Sequence, residues 1–176
     1  MTVYYVDGPD GTGKTGYSRY LSDYTGYPRL EMRPVDSTDD IEGKSAVFNA
    51  VIRDLYDQGT DLVVDRGSTS SIVYSRVFDR GKPEHAWETL NHVEPVVFYL
   101  RCNPDELAVR YGNNDELFSP DEIRAVAATY DDVMSEVQDS TPVDVVEIDT
   151  TVSVTEKLEK AVFGEGVDDR RTADCV

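Results

Sequence analysis

The chain has 176 residues and a formal net charge of −18, with 35 Asp and Glu against 17 Lys and Arg. Its length fits one domain with one sizeable core, and no run approaches the ~18 to 20 apolar residues of a membrane span. So acidic a surface repels nucleic acid and anionic membranes, which makes both poor partners.

Cys102 and Cys175 are too few and too oddly placed for a disulfide framework, and no Cys/His spacing suggests zinc. Apolar strands alternate regularly with helical patterns, which argues against an acidic disordered chain. The charge instead reads as adaptation to high salt, where screening relieves self-repulsion and carboxylates keep the surface hydrated. The sequence enters a strand and a charged loop with no signal-peptide pattern, so the expected location is the cytoplasm.

In chain order, a buried strand over 2–7 leads into Gly8-Pro9-Asp10-Gly11-Thr12-Gly13-Lys14-Thr15, and a helix follows over 14–24. This is G-x-x-x-x-G-K-T, a phosphate-binding loop in the strand–helix context that the pattern requires. The glycines let backbone N–H groups turn around a polyphosphate, and the helix N-terminus adds partial positive charge. Gly8, Gly11, Thr12, Gly13, Lys14 and Thr15 are therefore candidates for holding a nucleoside triphosphate, with Lys14 on the β/γ-phosphates and the Thr15 hydroxyl on Mg²⁺.

Further strands are expected at 29–33, 61–65, 95–101 and 143–148, and further helices at 43–58, within 69–91, and at 104–111, 120–138 and 153–163. Gly59 is a natural C-terminal cap. Ser119-Pro120-Asp121-Glu122 starts a helix with Ser as N-cap and Pro at N1. Five short strands separated by helices imply an α/β fold, a three-layer α/β/α arrangement on a five-stranded parallel sheet with ligands at the strand C-termini. Residues 1–163 read as one domain with a short lid at about 110–120, and 164–176 as a disordered polar tail.

Leu62-Val63-Val64-Asp65-Arg66 is an apolar strand ending in an ionic pair. Beside a phosphate loop, the Asp65 carboxylate can order a metal's waters and the Arg66 guanidinium can bind a phosphate bidentately. The stretch Asp65–Ser75 resembles the D-R-Y-x-x-S-S-x-A-Y-Q signature of thymidylate kinases. The phosphate loop agrees, with Asp10 at the acidic position of that family's G-x-D-G-x-G-K-[ST]. Leu30-Glu31-Met32-Arg33-Pro34 is similar to its T-R-E-P segment, and Val97–Leu100 with Asn103–Glu106 is similar to the strand and helix before its lid.

The resemblance implies a nucleoside monophosphate kinase that uses ATP and Mg²⁺, most readily with dTMP as acceptor, and a homodimer by family habit. It implies that Asp10 meets the acceptor's 3′-hydroxyl or helps place its phosphate. Arg33 and Arg66 would bind that phosphate, Tyr74 would pack on the deoxyribose, and Ser70 and Ser71 would lie at the pyrimidine edge. Arg110 would close from the lid, with Arg101 and Arg124 as stand-ins.

Three positions depart from the pattern. Lys44 and Asp40 stand where the family has a base-reading Arg and a stacking aromatic, with Phe48 as a possible substitute. Gly67 replaces the aromatic or His after Asp-Arg. The lid Tyr111–Glu116 is short and acidic. Two other readings remain open: a deoxynucleoside kinase, in which Asp7 before the loop serves as general base, and a non-catalytic nucleotide-binding module.

Overall fold

The computed structural model describes residues 1–32, 41–112 and 118–150. Arg33, Asp40, lid residues 113–117, the expected helix 153–163 and the tail lie outside the described residues, as does the side chain of Arg110. The elements run β1 (Val3–Asp7), α1 (Lys14–Thr25), β2 (Arg29–Glu31), α2 (Ile41–Asp57), β3 (Leu62–Asp65), α3 (Ser68–Val77), α4 (Glu84–Val93), β4 (Val96–Arg101), α5 (Pro104–Gly112), α6 (Pro120–Ser140) and β5 (Asp144–Asp149). All five expected strands are present. The expected helical region 69–91 is two helices, because Asp79 and Gly81 turn left-handed and Pro83 follows, and Pro83 has no N–H to continue a helix. No described helix is long and apolar enough to cross a membrane.

The strands form one parallel sheet in the order β2-β3-β1-β4-β5. Parallel strands need helical crossovers, so both faces are covered, and the strands read as nearly unbroken apolar runs. Alternation along each strand sorts the core into two layers. Val3, Tyr5, Leu62, Val64, Val97 and Tyr99 pack against α2, α3, α4 and α6. On the opposite face, Val6, Val63, Phe98, Leu100 and Ile148 pack against Tyr17 and Leu21 of α1.

α6 starts as expected: Ser119 Oγ accepts from the Glu122 N–H, and Glu122 Oε2 accepts from the Ser119 N–H at 2.7 Å. The chain leaves β1 for β2 and β3 on one side, then crosses to β4 on the other. The C-terminal ends of β1 and β4 thus form the topological switch point where ligands of such sheets bind. Gly8 sits there against β4, and a Cβ on it would collide with the Leu100 carbonyl oxygen.

Candidate active site

The phosphate loop takes the shape its glycines permit: Gly8, Gly11 and Gly13 all have positive φ. Gly13 is the N-cap of α1 and brings no side chain, so the first-turn N–H groups keep their capacity for an anion. Gly11, Gly13 and Thr15 are exposed, whereas Thr12 is buried. The Thr12 hydroxyl donates to the Pro9 carbonyl at 2.9 Å and braces the loop, leaving only its backbone for a phosphate. Lys14 folds back over the same loop, its Nζ donating to the Pro9 carbonyl at 2.5 Å and lying 3.5 Å from Asp10 Oδ1.

Asp10 is the hub of the site. Its Oδ1 takes a short charge-assisted bond from Arg66 Nη2 and the longer contact from Lys14, and its Oδ2 accepts from the Tyr74 hydroxyl at 2.7 Å. Burial works against the Asp10 carboxylate, but Lys14, Arg66 and the Tyr74 hydroxyl outweigh it and hold the group down at about 2. Burial, and then the Arg66 charge, push the Lys14 ammonium down to about 8, against the opposing pull of Asp10, Asp65 and Asp7. For Arg66, burial acts downward but Asp10 prevails and raises it.

Arg66 has φ +68, in the left-handed region that a non-glycine residue enters at a cost of about 1–2 kcal/mol. Its N–H still bonds the Val6 carbonyl at 3.2 Å, so the turn out of β3 is fixed to β1. Backbone strain of this kind concentrates at functional sites. Tyr74 is half-buried, stacked on Phe78 and tilted toward Phe118 at the entry to α6.

Asp65 is buried at the end of β3, on the α1 face. Its Oδ2 accepts from Ser18 Oγ at 2.8 Å and from Arg29 Nη1 at 2.9 Å, while its buried Oδ1 has no hydrogen-bond partner among the described residues. Arg29 continues to Glu31 at 2.9 Å. Neither Ser18 nor Arg29 stands out in the sequence, because a serine inside a helix and an arginine at the start of a three-residue strand carry no pattern.

Asp7 is fully buried and accepts from the Gly67 N–H at 2.9 Å and from the Thr69 and Ser70 hydroxyls. Burial raises its carboxyl, against those three bonds. It caps the first turn of α3 from beneath, so the described geometry does not present it to a sugar hydroxyl as a general base.

Ser70, expected at the pyrimidine edge, is buried beside Asp7. Its hydroxyl donates to Asp7 and accepts from the Tyr130 hydroxyl at 2.8 Å, inside the core. Ser71 is also buried and accepts from Ser45 Oγ at 2.7 Å. Since Ser45 spends its proton there, His85 Nε2, 3.0 Å away, must carry the proton that joins them. Ser68 donates to Asn49 Oδ1 at 2.6 Å, and Asn49 donates to the Ser45 carbonyl. No sequence pattern marks this polar seam between α2, α3 and α4, and His85 reads from sequence only as packing or surface.

The other expected residues assemble less. Lys44 is exposed on α2 beside Ser45, and Phe48 is half-buried against the main core. Arg101 pairs with Asp131 at 3.1 Å, and Arg124 pairs with Asp105 and Asp121 at 2.9 Å each, so both stand-ins for Arg110 are engaged elsewhere.

Gly67 has a steric cause. A Cβ there would run into the Tyr5 ring, so the aromatic group at this spot comes from β1 instead of following Arg66.

No protein-family model matches the sequence, and no curated protein matches it. Solved structures do. The YorR protein of Bacillus subtilis, in complex with phosphorylated GDP, superposes with a TM-score of 0.74 at 20% identity, over 92% of this chain and 94% of that one. The fold is P-loop kinase-like. Deoxyadenosine kinase from M. mycoides superposes with a TM-score of 0.62 with bound dATP, at 15% identity, and of 0.61 with bound dCTP, at 14% identity. Each covers 92% of this chain and 97% of the other. At such identities the likeness is one of fold.

Among the described residues, no cluster of three or more His, Cys, Asp or Glu can hold a metal by itself. Mg²⁺ in nucleotide sites takes one or two protein oxygens and completes its shell with phosphate and water. The exposed Thr15 and the orphaned Asp65 Oδ1 are a fitting pair of donors.

Proposed function

We propose that the chain transfers the γ-phosphoryl group of MgATP to a deoxynucleoside monophosphate, with dTMP as the first candidate acceptor. One observation carries this reading: Lys14, at the start of α1, and Arg66, just after β3, converge on the single carboxylate of Asp10. Two cations that share one internal anion are placed to hold two phosphates side by side.

An oxygen of the acceptor phosphate attacks the γ-phosphorus, the bond from the γ-phosphorus to the bridging oxygen breaks, and ADP leaves. The acceptor oxygen is already anionic, so the reaction asks for alignment and charge neutralisation rather than a base. Lys14 swings from Pro9 onto the donor phosphates, and Arg66 presents its guanidinium to the acceptor phosphate. Asp10 and Tyr74 hold Arg66 at the site until the acceptor phosphate takes the place of Asp10, and Tyr74 with Phe78 forms an apolar wall beside the acceptor's sugar. Mg²⁺, when bound, neutralises charge on the β- and γ-phosphates; Thr15 and Asp65 would hold it or its waters. Arg33 and Arg110 belong to the proposal as a second acceptor clamp and a lid cation.

The fold shared with a deoxyadenosine kinase supports a second reading, phosphorylation of a deoxynucleoside. The burial of Asp7 and its three hydrogen bonds to the start of α3 speak against that carboxylate as the base. The acidic surface is part of the same proposal, an enzyme working in high salt.

The test is turnover of MgATP with dTMP, dGMP, dAMP, thymidine and deoxyadenosine. Transfer to a monophosphate, abolished in Lys14→Ala and Arg66→Ala while the fold persists, is the expected result. Turnover of nucleosides alone, or unchanged turnover in Arg66→Ala, would overturn it.

A further inference from the structure

Asp65 holds one committed and one uncommitted oxygen, and the difference is made by two side chains outside the motifs. Its Oδ2 receives Ser18 Oγ at 2.8 Å and Arg29 Nη1 at 2.9 Å, while Oδ1 is buried without a partner among the described residues. A buried carboxylate oxygen left bare is costly in a folded chain and calls for a ligand.

The surroundings say which ligand. Asp65 pairs in register with Val6, next to the start of the phosphate loop. Ser18 lies one helical turn beyond Thr15, and its Oγ is 3.2 Å from the Thr15 carbonyl oxygen, close enough to share its one proton between that oxygen and Asp65. The Lys14 ammonium also feels the Asp65 charge.

We propose that Arg29, with Ser18, is a positioning residue for the divalent cation of the bound nucleotide. Together they pin Oδ2, fix the carboxylate's rotation, and leave Oδ1 as the acceptor offered to the cation or a water on it. This rests on the MgATP reading above. The planar guanidinium is well suited to this role, because Nη1 holds Asp65 while Nη2 is tied back to Glu31 at 2.9 Å, so two carboxylates fix its plane. Arg29 also offsets the Asp65 charge that the fold has removed from water, and a lysine could do that only as a point charge.

The experiment is calorimetric titration with a non-hydrolysable ATP analogue, AMPPNP, in excess Mg²⁺ and in EDTA, on the full chain. Wild type is expected to bind the analogue more tightly with Mg²⁺. Arg29→Met should shrink that enhancement by about tenfold, the usual scale for outer-shell partners of a metal, while the affinity in EDTA stays within about twofold. Arg29→Lys should recover part of the enhancement, and Ser18→Ala should lose part of it. Where Arg29→Met fails to fold by circular dichroism, Ser18→Ala and Arg29→Lys carry the test.

An enhancement equal to wild type in the folded variants overturns the Arg29 assignment alone. A wild type that binds AMPPNP equally with and without Mg²⁺ overturns both this assignment and the MgATP reading. Equal losses with Mg²⁺ and in EDTA would mark Arg29 as purely structural and also overturn it.

Discussion

Binding of MgATP to this chain should take up a proton at alkaline pH, and Lys14 should be the group that takes it. Burial and the neighbouring Arg66 hold the Lys14 ammonium at about 8, against 10.5 for a free lysine. A titration midpoint of about 8 leaves roughly one-tenth of Lys14 neutral at pH 7 and roughly nine-tenths neutral at pH 9. Phosphate oxygens at Nζ favour the charged form, so binding restores the proton. Uptake should approach one proton at pH 9 and stay near ~0.1 at pH 7.

The affinity should weaken about tenfold between the two pH values, which is ~1.4 kcal/mol. The sign for stability is the reverse of an ion-pair gain. The folded value lies below the unfolded one, so the fold carries a penalty below pH 8 that is relieved as pH rises toward 10.5, by up to ~3 kcal/mol. Calorimetric titrations of MgATP in two buffers of different ionisation enthalpy at pH 9 give the proton count directly. A wild-type uptake near zero, or an equal uptake in Lys14→Ala, would refute the reasoning.

Asp10→Asn should cost about 2 kcal/mol at pH 7, because the folded carboxylate sits at about 2 against 3.8 unfolded; urea unfolding at several pH values should show the gap to wild type closing as pH falls from 4 toward 2. Gly67→Ala should destabilise by about 1–3 kcal/mol by driving a methyl into the Tyr5 ring, and Tyr5→Leu in the same chain should recover part of the melting temperature. If the acidic surface is a high-salt adaptation, activity and melting temperature should climb from low salt to molar KCl; full activity and stability without salt would count against it.

The sheet was legible because its five strands are apolar runs bounded by turn residues, and the phosphate loop because its glycines sit where left-handed backbone is required. Arg66 and Tyr74 were legible through the same segment, and both do meet at Asp10. What escaped was set by tertiary packing. Ser70 and Ser71 occupy a familiar pattern, yet Asp7, Tyr130 and Ser45 claim their hydroxyls, and nothing local shows which way a helix turns its serines. Gly67 looks in sequence like a missing aromatic, and only the fold shows that Tyr5, two strand positions before Asp7, fills the space. Arg29 and Ser18 act on Asp65 across 36 and 47 residues of sequence, a separation over which no local pattern can speak.

If Arg66 takes the acceptor phosphate, as proposed, its salt link to Asp10 would make the loop its own competitive inhibitor. The carboxylate is tethered within bonding distance of the guanidinium, so it competes at an effective concentration on the order of millimolar or above, with no diffusion step to lose. Every affinity measured for an acceptor phosphate would then be a net value, the outcome of displacing that internal rival. On that reading, stray inorganic anions would face the same rival without a sugar or base to help them, and Arg66 would favour a phosphate that arrives attached to a nucleoside.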